Sequence, residues 1–239
     1  MADRLSPVHF VWLGPADADP PSSATIVDGR PDADENRMGA SASAAVGRAG
    51  LRRAIESGFD SILAVDPPGS VPGVDPDDVG AALEVLRAGQ WSLCRAPIAS
   101  VRLPNDRVRA VLDVAVVADK PDSVATVTIR SDGRTVDRVR ADGVVVATPY
   151  GSSGYARSAG GPLLVDDDSL AVVPMGPFET DPGQWVLDGP VSISVDGPAT
   201  VVADGESVAE LPGDTALDVA IDDSIGLIVP DLTRVSDDG

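Results

Sequence analysis

The 239-residue sequence is poor in the side chains from which many active sites are assembled. It holds one cysteine, Cys94, so no disulfide can form within the chain, and a reducing interior is the natural setting. It holds one histidine, His9, set in an apolar run. That excludes zinc clusters built on histidine and argues against a Ser-His-Asp triad. No metal ligand set stands out. Aromatic residues make up 3% of the chain and apolar residues 43%, so valine, alanine, leucine and isoleucine must build the interior. Lys120 is the only lysine among 18 basic residues, which face 38 acidic ones for a formal net charge of −20. Such a surface argues against nucleic acid and anionic membranes as partners. Carboxylates spread this evenly fit a solvated face in a salt-rich cytoplasm, where screening over a few ångströms tolerates dense like charge. A GC-rich genome would deplete lysine in the same way. The N-terminus, MADRLSPVHF, lacks the regions of a signal peptide, and no apolar run approaches the roughly 20 residues of a membrane span. A soluble, cytoplasmic protein is the expectation.

What is present is an α/β beginning followed by a long β-rich remainder. Residues 8–13 read as a short buried strand closed by Gly14-Pro15. Residues 15–40 read as loop, with one brief apolar group at 24–27. Residues 40–57 are Ala-rich, with Val46, Leu51, Ala54 and Ile55 near helical spacing and Gly58 as a stop, which predicts a helix. Residues 61–65 (SILAV) predict a strand, and Asp75-Pro76-Asp77-Asp78 predicts the capped start of a helix over 79–87. After Gly89 short alternating runs take over. The turns Ser131-Asp132-Gly133 and Asp196-Gly197 predict hairpins. The division is therefore a reduced α/β unit over 1–88 and a β-rich unit over 89–239, whose C-terminal tail is free to return to the first.

The segment with chemical promise is residues 147–161, ATPYGSSGYARSAGG. It is a strand that ends on a proline, then a Gly/Ser turn, then one or two helical turns. Ser152 and Ser153 are natural N-caps, so their hydroxyls and the free N–H groups nearby would face a docking ligand. The small-residue loop lets a flat ligand approach the backbone, and Tyr155 offers a stacking face or a hydroxyl. The plainer reading is a Gly/Ser connector with Tyr155 in the core.

This segment resembles the NAD kinase family, whose pattern here is Asp-Gly, an apolar strand, then TPTGSTAYSLSAGGP. Asp142, Gly143, Thr148, Pro149, Gly151, Ser152, Tyr155, Ser158, Ala159, Gly160, Gly161 and Pro162 match, while Ser153 and Gly154 stand in for Thr and Ala. Residues 170–178, the turn Asp204-Gly205-Glu206 and residues 225–231 resemble later family segments, so the likeness covers about residues 61–232. It implies a two-domain α/β + β fold with a β-sandwich-like C-terminal domain. It also implies a homo-oligomer, and NAD or NADP as bound ligand. Residues 148–155 with Ser158 would contact the adenine and nicotinamide ends, Asp142 the nicotinamide side, and Tyr155 its ring. The family's Asn-Glu pair falls by spacing on Asp113-Val114, where Asp113 could bond a ribose or base and Val114 cannot. The literal Asn105-Asp106 lies too early and reads as a turn.

The family's phosphate-transfer signature is missing. Its Gly-Gly-Asp-Gly-Thr loop, where N–H groups hold phosphate and the Asp serves as base, has no counterpart here. By spacing it falls on Ser43-Ala44-Ala45-Val46, with Ala45 in the place of the acid, and Asp34 or Glu35 as the nearest substitutes. ATP and Mg²⁺ are accordingly left open. There is no Walker loop, no Tyr-x-x-x-Lys and no Gly-x-Ser-x-Gly elbow. The expectation is a protein that binds NAD(H) or NADP(H), is impaired or inactive in phosphorylating the 2′-hydroxyl of NAD, and accompanies an active paralogue. The alternative is an active, divergent NAD kinase with a substitute phosphate site.

Overall fold

The computed structural model describes residues 10–13, 26–28, 42–103, 106–119, 125–165 and 168–233. They fall into two compact units, Met1–Ala96 with Ile225–Gly239, and Pro97–Ser224.

In the first unit, β1 (Phe10–Leu13), β2 (Ile26–Asp28), β3 (Ala42–Val46) and β4 (Ser61–Val65) form a parallel sheet in the order β2-β1-β3-β4. The last strand of the chain, β16 (Ala216–Pro230), returns here, pairing Gly226 and Leu227 in parallel with Ser61 and Ile62. The helix predicted over 40–57 is in fact two elements, β3 and helix α1 (Gly47–Glu56). Helical spacing in an Ala-rich stretch hid the strand. Flanked by β1 and β4, residues 42–46 complete the sheet ladder, and tertiary pairing overrides the weak helix preference of alanine. The switch is made at Gly47, whose φ of +64° suits glycine. Alternation along the strands sets two faces. Ala44, Leu63 and Val65 pack with α2 (Val79–Arg87) through Val79, Ala82, Leu83 and Leu86. α1 packs on β3 and β4, burying Leu51, Ala54 and Ile55. The acids before α2 make no side-chain cap; Pro76–Asp78 form a 3₁₀ turn, and Asp77 and Asp78 help only through the helix dipole.

The second unit is a sandwich of two antiparallel sheets. Its strands are β5 (Trp91–Arg102), β6 (Arg107–Ala110), β7 (Asp113–Ala118), β8 (Ala125–Ser131), β9 (Arg134–Ala141), β10 (Gly143–Ala147), β11 (Leu170–Met175), β12 (Trp185–Leu187), β13 (Val191–Val195), β14 (Ala199–Ala203) and β15 (Glu206–Leu211). The division between units falls inside β5, at Ala96/Pro97. One sheet runs β16-β13-β8-β9, with β5 beside β16 and β6 beside β5; the other runs β12-β11-β10-β7-β14-β15. Val127, Ile129, Val139, Ile193, Leu217 and Val219 of the first meet Val114, Val116, Val144, Val146, Val172 and Val201 of the second in one core. Every second residue thus faces inward, as the alternating sequence requires.

Asp132-Gly133 forms the predicted hairpin, with φ of +49° and +72° as a type I′ turn between β8 and β9 demands. Asp196-Gly197 does not. It carries the chain from β13 in one sheet to β14 in the other. Asp196 closes that crossover by accepting the Thr126 N–H at 2.9 Å and donating its own to the Thr126 carbonyl at 3.1 Å. Among the described residues no helix is long and apolar enough to cross a membrane.

Candidate functional site

The outer face of the six-stranded sheet presents Ala115, Val145, Ala147, Ala171, Val173 and Met175, and the segment 148–164 folds back onto it through Ala156, Ala159 and Leu164. Small side chains let the backbone come close. A Cβ on Gly161 would stand 2.6 Å from Val173 Cγ2, and one on Gly151 would stand 1.9 Å from the Leu112 carbonyl oxygen.

Two of the expected ligand residues instead hold the loop. Thr148 is fully buried; its N–H donates to Leu112 O at 2.9 Å, its hydroxyl donates to Val111 O at 2.6 Å and accepts the Gly151 N–H at 3.3 Å. Ser152, also buried, donates its hydroxyl to Pro149 O at 2.7 Å and accepts the Leu164 N–H at 3.0 Å. Neither serine is an N-cap. The short helix α3 (Tyr155–Ser158) has Gly154 at that position, without a side-chain cap, because Ser152 turns inward to staple Leu164.

The exposed edge of the segment is formed by Ser153, Tyr155 and Ser158, with Gly154 partly exposed. Tyr155 is 54% exposed and so is not a core residue. Tyr155 and Ser158 lie one helical turn apart and share a face. The hydroxyls of Ser153 and Ser158 donate long bonds, 3.4 Å, to the carbonyls of Tyr150 and Gly154. Such bonds are readily exchanged for a ligand's. The edge therefore offers a ring face and two hydroxyls over a rigid, internally satisfied base.

Asp113 lies opposite Ala147 at the start of β7, so its backbone adjoins this loop, and its side chain is nearly buried. Beside it stands a residue marked in the sequence only by its Asp-Gly turn. Asp204 is 1% exposed, and its carboxylate accepts the N–H groups of Val111 (3.0 Å), Leu112 (2.8 Å) and Asp113 (3.2 Å). Its own N–H donates to Asp113 O at 2.9 Å. Asp204 thus fixes the very carbonyls on which Thr148 hangs. Its Asp-Gly turn was visible in the sequence; partners about 90 residues earlier were not. Asp142 stands at the opposite end of β10 from Thr148. It precedes β10 while Thr148 follows it, six residues or about 20 Å along an extended strand. Its carboxylate rests against Gly176, where a Cβ would stand 2.2 Å from Oδ2.

In the first unit, the place expected for the phosphate loop, residues 43–46, is the buried strand β3. The strand-to-helix junction lies one step later. From that junction, Gly47-Arg48-Ala49-Gly50 keeps the first and last glycines of Gly-Gly-Asp-Gly, with Ala49 in the acid's place. The first turn of α1 contains no acidic residue. Asp34, Glu35 and Asn105 lie outside the described residues. Among the described residues no group of three His, Cys, Asp or Glu side chains could hold a metal ion.

These features define a β-sandwich joined in sequence to a parallel α/β unit. The family model of the ATP-NAD kinase C-terminal domain matches residues 112–228, so the chain is similar to NAD kinases over a little under half of its length. An NAD kinase of Methanothermobacter thermautotrophicus is 32% identical over 112 residues, covering 46% of this chain and 40% of that one. One of Archaeoglobus fulgidus is 44% identical over 72 residues, 30% of this chain and 29% of that one. The chain spans 40–46% of the length of three archaeal relatives it matches. The fold is shared with the Archaeoglobus fulgidus NAD kinase solved with ATP, at a TM-score of 0.68 and 24% identity, over 88% of this chain and 84% of that one. It is also shared with yeast NADH kinase solved with NADH, at 0.68 and 17%, over 81% and 62%.

Proposed function

We propose that this chain binds a nicotinamide dinucleotide, NAD(H) or NADP(H), on the exposed edge formed by Ser153, Tyr155 and Ser158, and is impaired in phosphoryl transfer to it. Tyr155 would stack on the ligand, and the two serines would hydrogen-bond it. Thr148, Ser152 and Asp113 would shape the seat, with Asp204 behind them. Asp142, at the start of β10, would contact the nicotinamide side, and a homo-oligomer is expected from the family likeness alone.

The observation that carries the impaired reading is Ala49 in an acid-free first helical turn. Absence of the base alone costs about 10²–10⁴ in rate. Arg48 in the place of a glycine also removes the close backbone approach on which phosphate positioning rests. A second reading, an active kinase with a substitute acid, draws on the strand, glycine and helix that remain in place at Val46, Gly47 and Arg48. Calorimetric titration of the purified chain with NAD, NADP and ATP tests the binding half. Dinucleotide binding that weakens in Tyr155→Ala supports the proposal. No dinucleotide binding, or binding indifferent to that substitution, sinks it.

A further inference from the structure

We infer that the outer face of the other sheet carries a second small-molecule site, a groove shaped for a free α-amino acid with a cationic side chain. The groove has a volume of about 500 Å³ and lies wholly within the second unit. Its floor follows one cross-strand row, in which Ser192 of β13 stands opposite Asp218 of β16 on one side and Arg130 of β8 on the other. One wall is the β5–β6 hairpin, where Arg102 and Arg107 face each other; the other is the turn bearing Asp132.

The charges of the groove are not all matched internally. Arg107 donates to Asp222 at 2.6 Å and to Ser100 at 2.9 Å. Arg130 donates to the Gly133 carbonyl at 2.8 Å and to Thr135 at 3.4 Å. Among the described residues, the side chains of Arg102, Asp132 and Asp218 make no hydrogen bond or ion pair. Asp218 is half-buried, so its carboxylate has lost part of its hydration without gaining a partner, which is unfavourable unless a ligand supplies one. The unmatched set is one guanidinium and two carboxylates. A polyanion would meet the two carboxylates, and a polyamine would leave Arg102 unanswered. A nucleobase would find no aromatic side chain in the lining. One carboxylate and two cationic groups, as in arginine or lysine, complete the set.

The spacing agrees. β5 neighbours β16, so Arg102 and Asp218 sit on strands about 5 Å apart, and the α-carboxylate and α-ammonium of one amino acid can bridge them. From β16 across β13 to β8 is roughly 10 Å, which an extended basic side chain spans over Ser192 to reach Asp132. The chain's net charge of −20 favours a ligand that is itself net positive.

Calorimetric titration of the full chain with L-arginine, L-lysine, glycine, inorganic phosphate and agmatine, which is arginine without its carboxylate, decides the matter. Arginine and lysine should bind more tightly than about 1 mM, and agmatine at least ~10-fold more weakly. Arg102→Ala should bring arginine down to the level of agmatine, and Asp218→Asn should weaken arginine ~10-fold or more. These side chains are unpaired, so their substitution leaves the fold intact. NAD titrates unchanged in both variants, which separates this site from the dinucleotide edge. No binding of arginine or lysine overturns the inference. So does equal binding of agmatine, a preference for phosphate, or arginine affinity that survives both substitutions.

Discussion

Asp204→Asn tests how the dinucleotide edge is held, because asparagine keeps the shape of the side chain and removes one acceptor. In the wild type Oδ1 accepts from Leu112 and Asp113 while Oδ2 accepts from Val111. An amide can satisfy only one of those two sets and turns an NH₂ group on the other. Each hydrogen bond to a buried charge contributes about 1.5–3 kcal/mol, and a stranded N–H costs about 1–3 kcal/mol. Relief from burying a charge offsets part of the loss. The net expectation is about 2–3 kcal/mol, a fall in melting temperature of roughly 5–10 °C for a chain of this size. The loss should also reach the edge, since Val111 and Leu112 present the carbonyls that hold Thr148. Dinucleotide affinity, measured well below the new melting temperature, should drop several-fold, while Glu210→Gln, at an exposed carboxylate on the edge strand β15, leaves affinity unaltered. Thermal melting and titration of both variants suffice. If Asp204→Asn melts within a degree or two of wild type, the buried carboxylate is not the anchor we describe.

Further outcomes follow from the same geometry. Tyr155→Ala should leave stability within about 0.5 kcal/mol, as an exposed residue does, yet raise the Kd for NAD about tenfold, checked by melting and calorimetry together. Gly151→Ala drives a Cβ to 1.9 Å from a backbone oxygen, so urea unfolding should report a loss of about 3 kcal/mol; unchanged stability would refute the close approach. Ser152→Ala strands the Leu164 N–H and should cost about 1–3 kcal/mol by the same measurement. The double variant Arg48→Gly, Ala49→Asp should raise NADP formation by about 10²–10⁴ over the parent chain, and no gain would mean that the junction at Gly47 is not a relic of the phosphate loop.

The sequence was legible where a local rule has one structural outcome. Asp132-Gly133 fits a type I′ turn, and the unbroken run Val144, Val145, Val146 before Thr148 made a strand with two buried faces. It misled where one dipeptide serves two topologies. Asp196-Gly197 reads as a hairpin, but β13 and β14 bury their apolar sides from opposite sheets, so the chain crosses over. Residues 42–46 carry alanines and a serine with no β-branched side chain before Val46, so only the neighbouring β1 and β4 make them a strand. In the site, the motif marked the exposed Tyr155 and Ser158, but it grouped them with Thr148 and Ser152, whose hydroxyls are spent inside the loop. Side-chain direction, not residue type, separates the two sets. Asp204 was hidden because its partners lie about 90 residues away and meet it only when β7 and β14 pair.

The central claim is that the dinucleotide seat persists while phosphoryl transfer does not. Its most direct test is an assay of the purified chain for NADP formation from NAD, with ATP or polyphosphate and Mg²⁺, beside a titration of NAD under the same conditions. The account predicts that NAD binds and that no NADP accumulates above background. Turnover at the rate of an intact kinase, with Ala49 still in place, would contradict it.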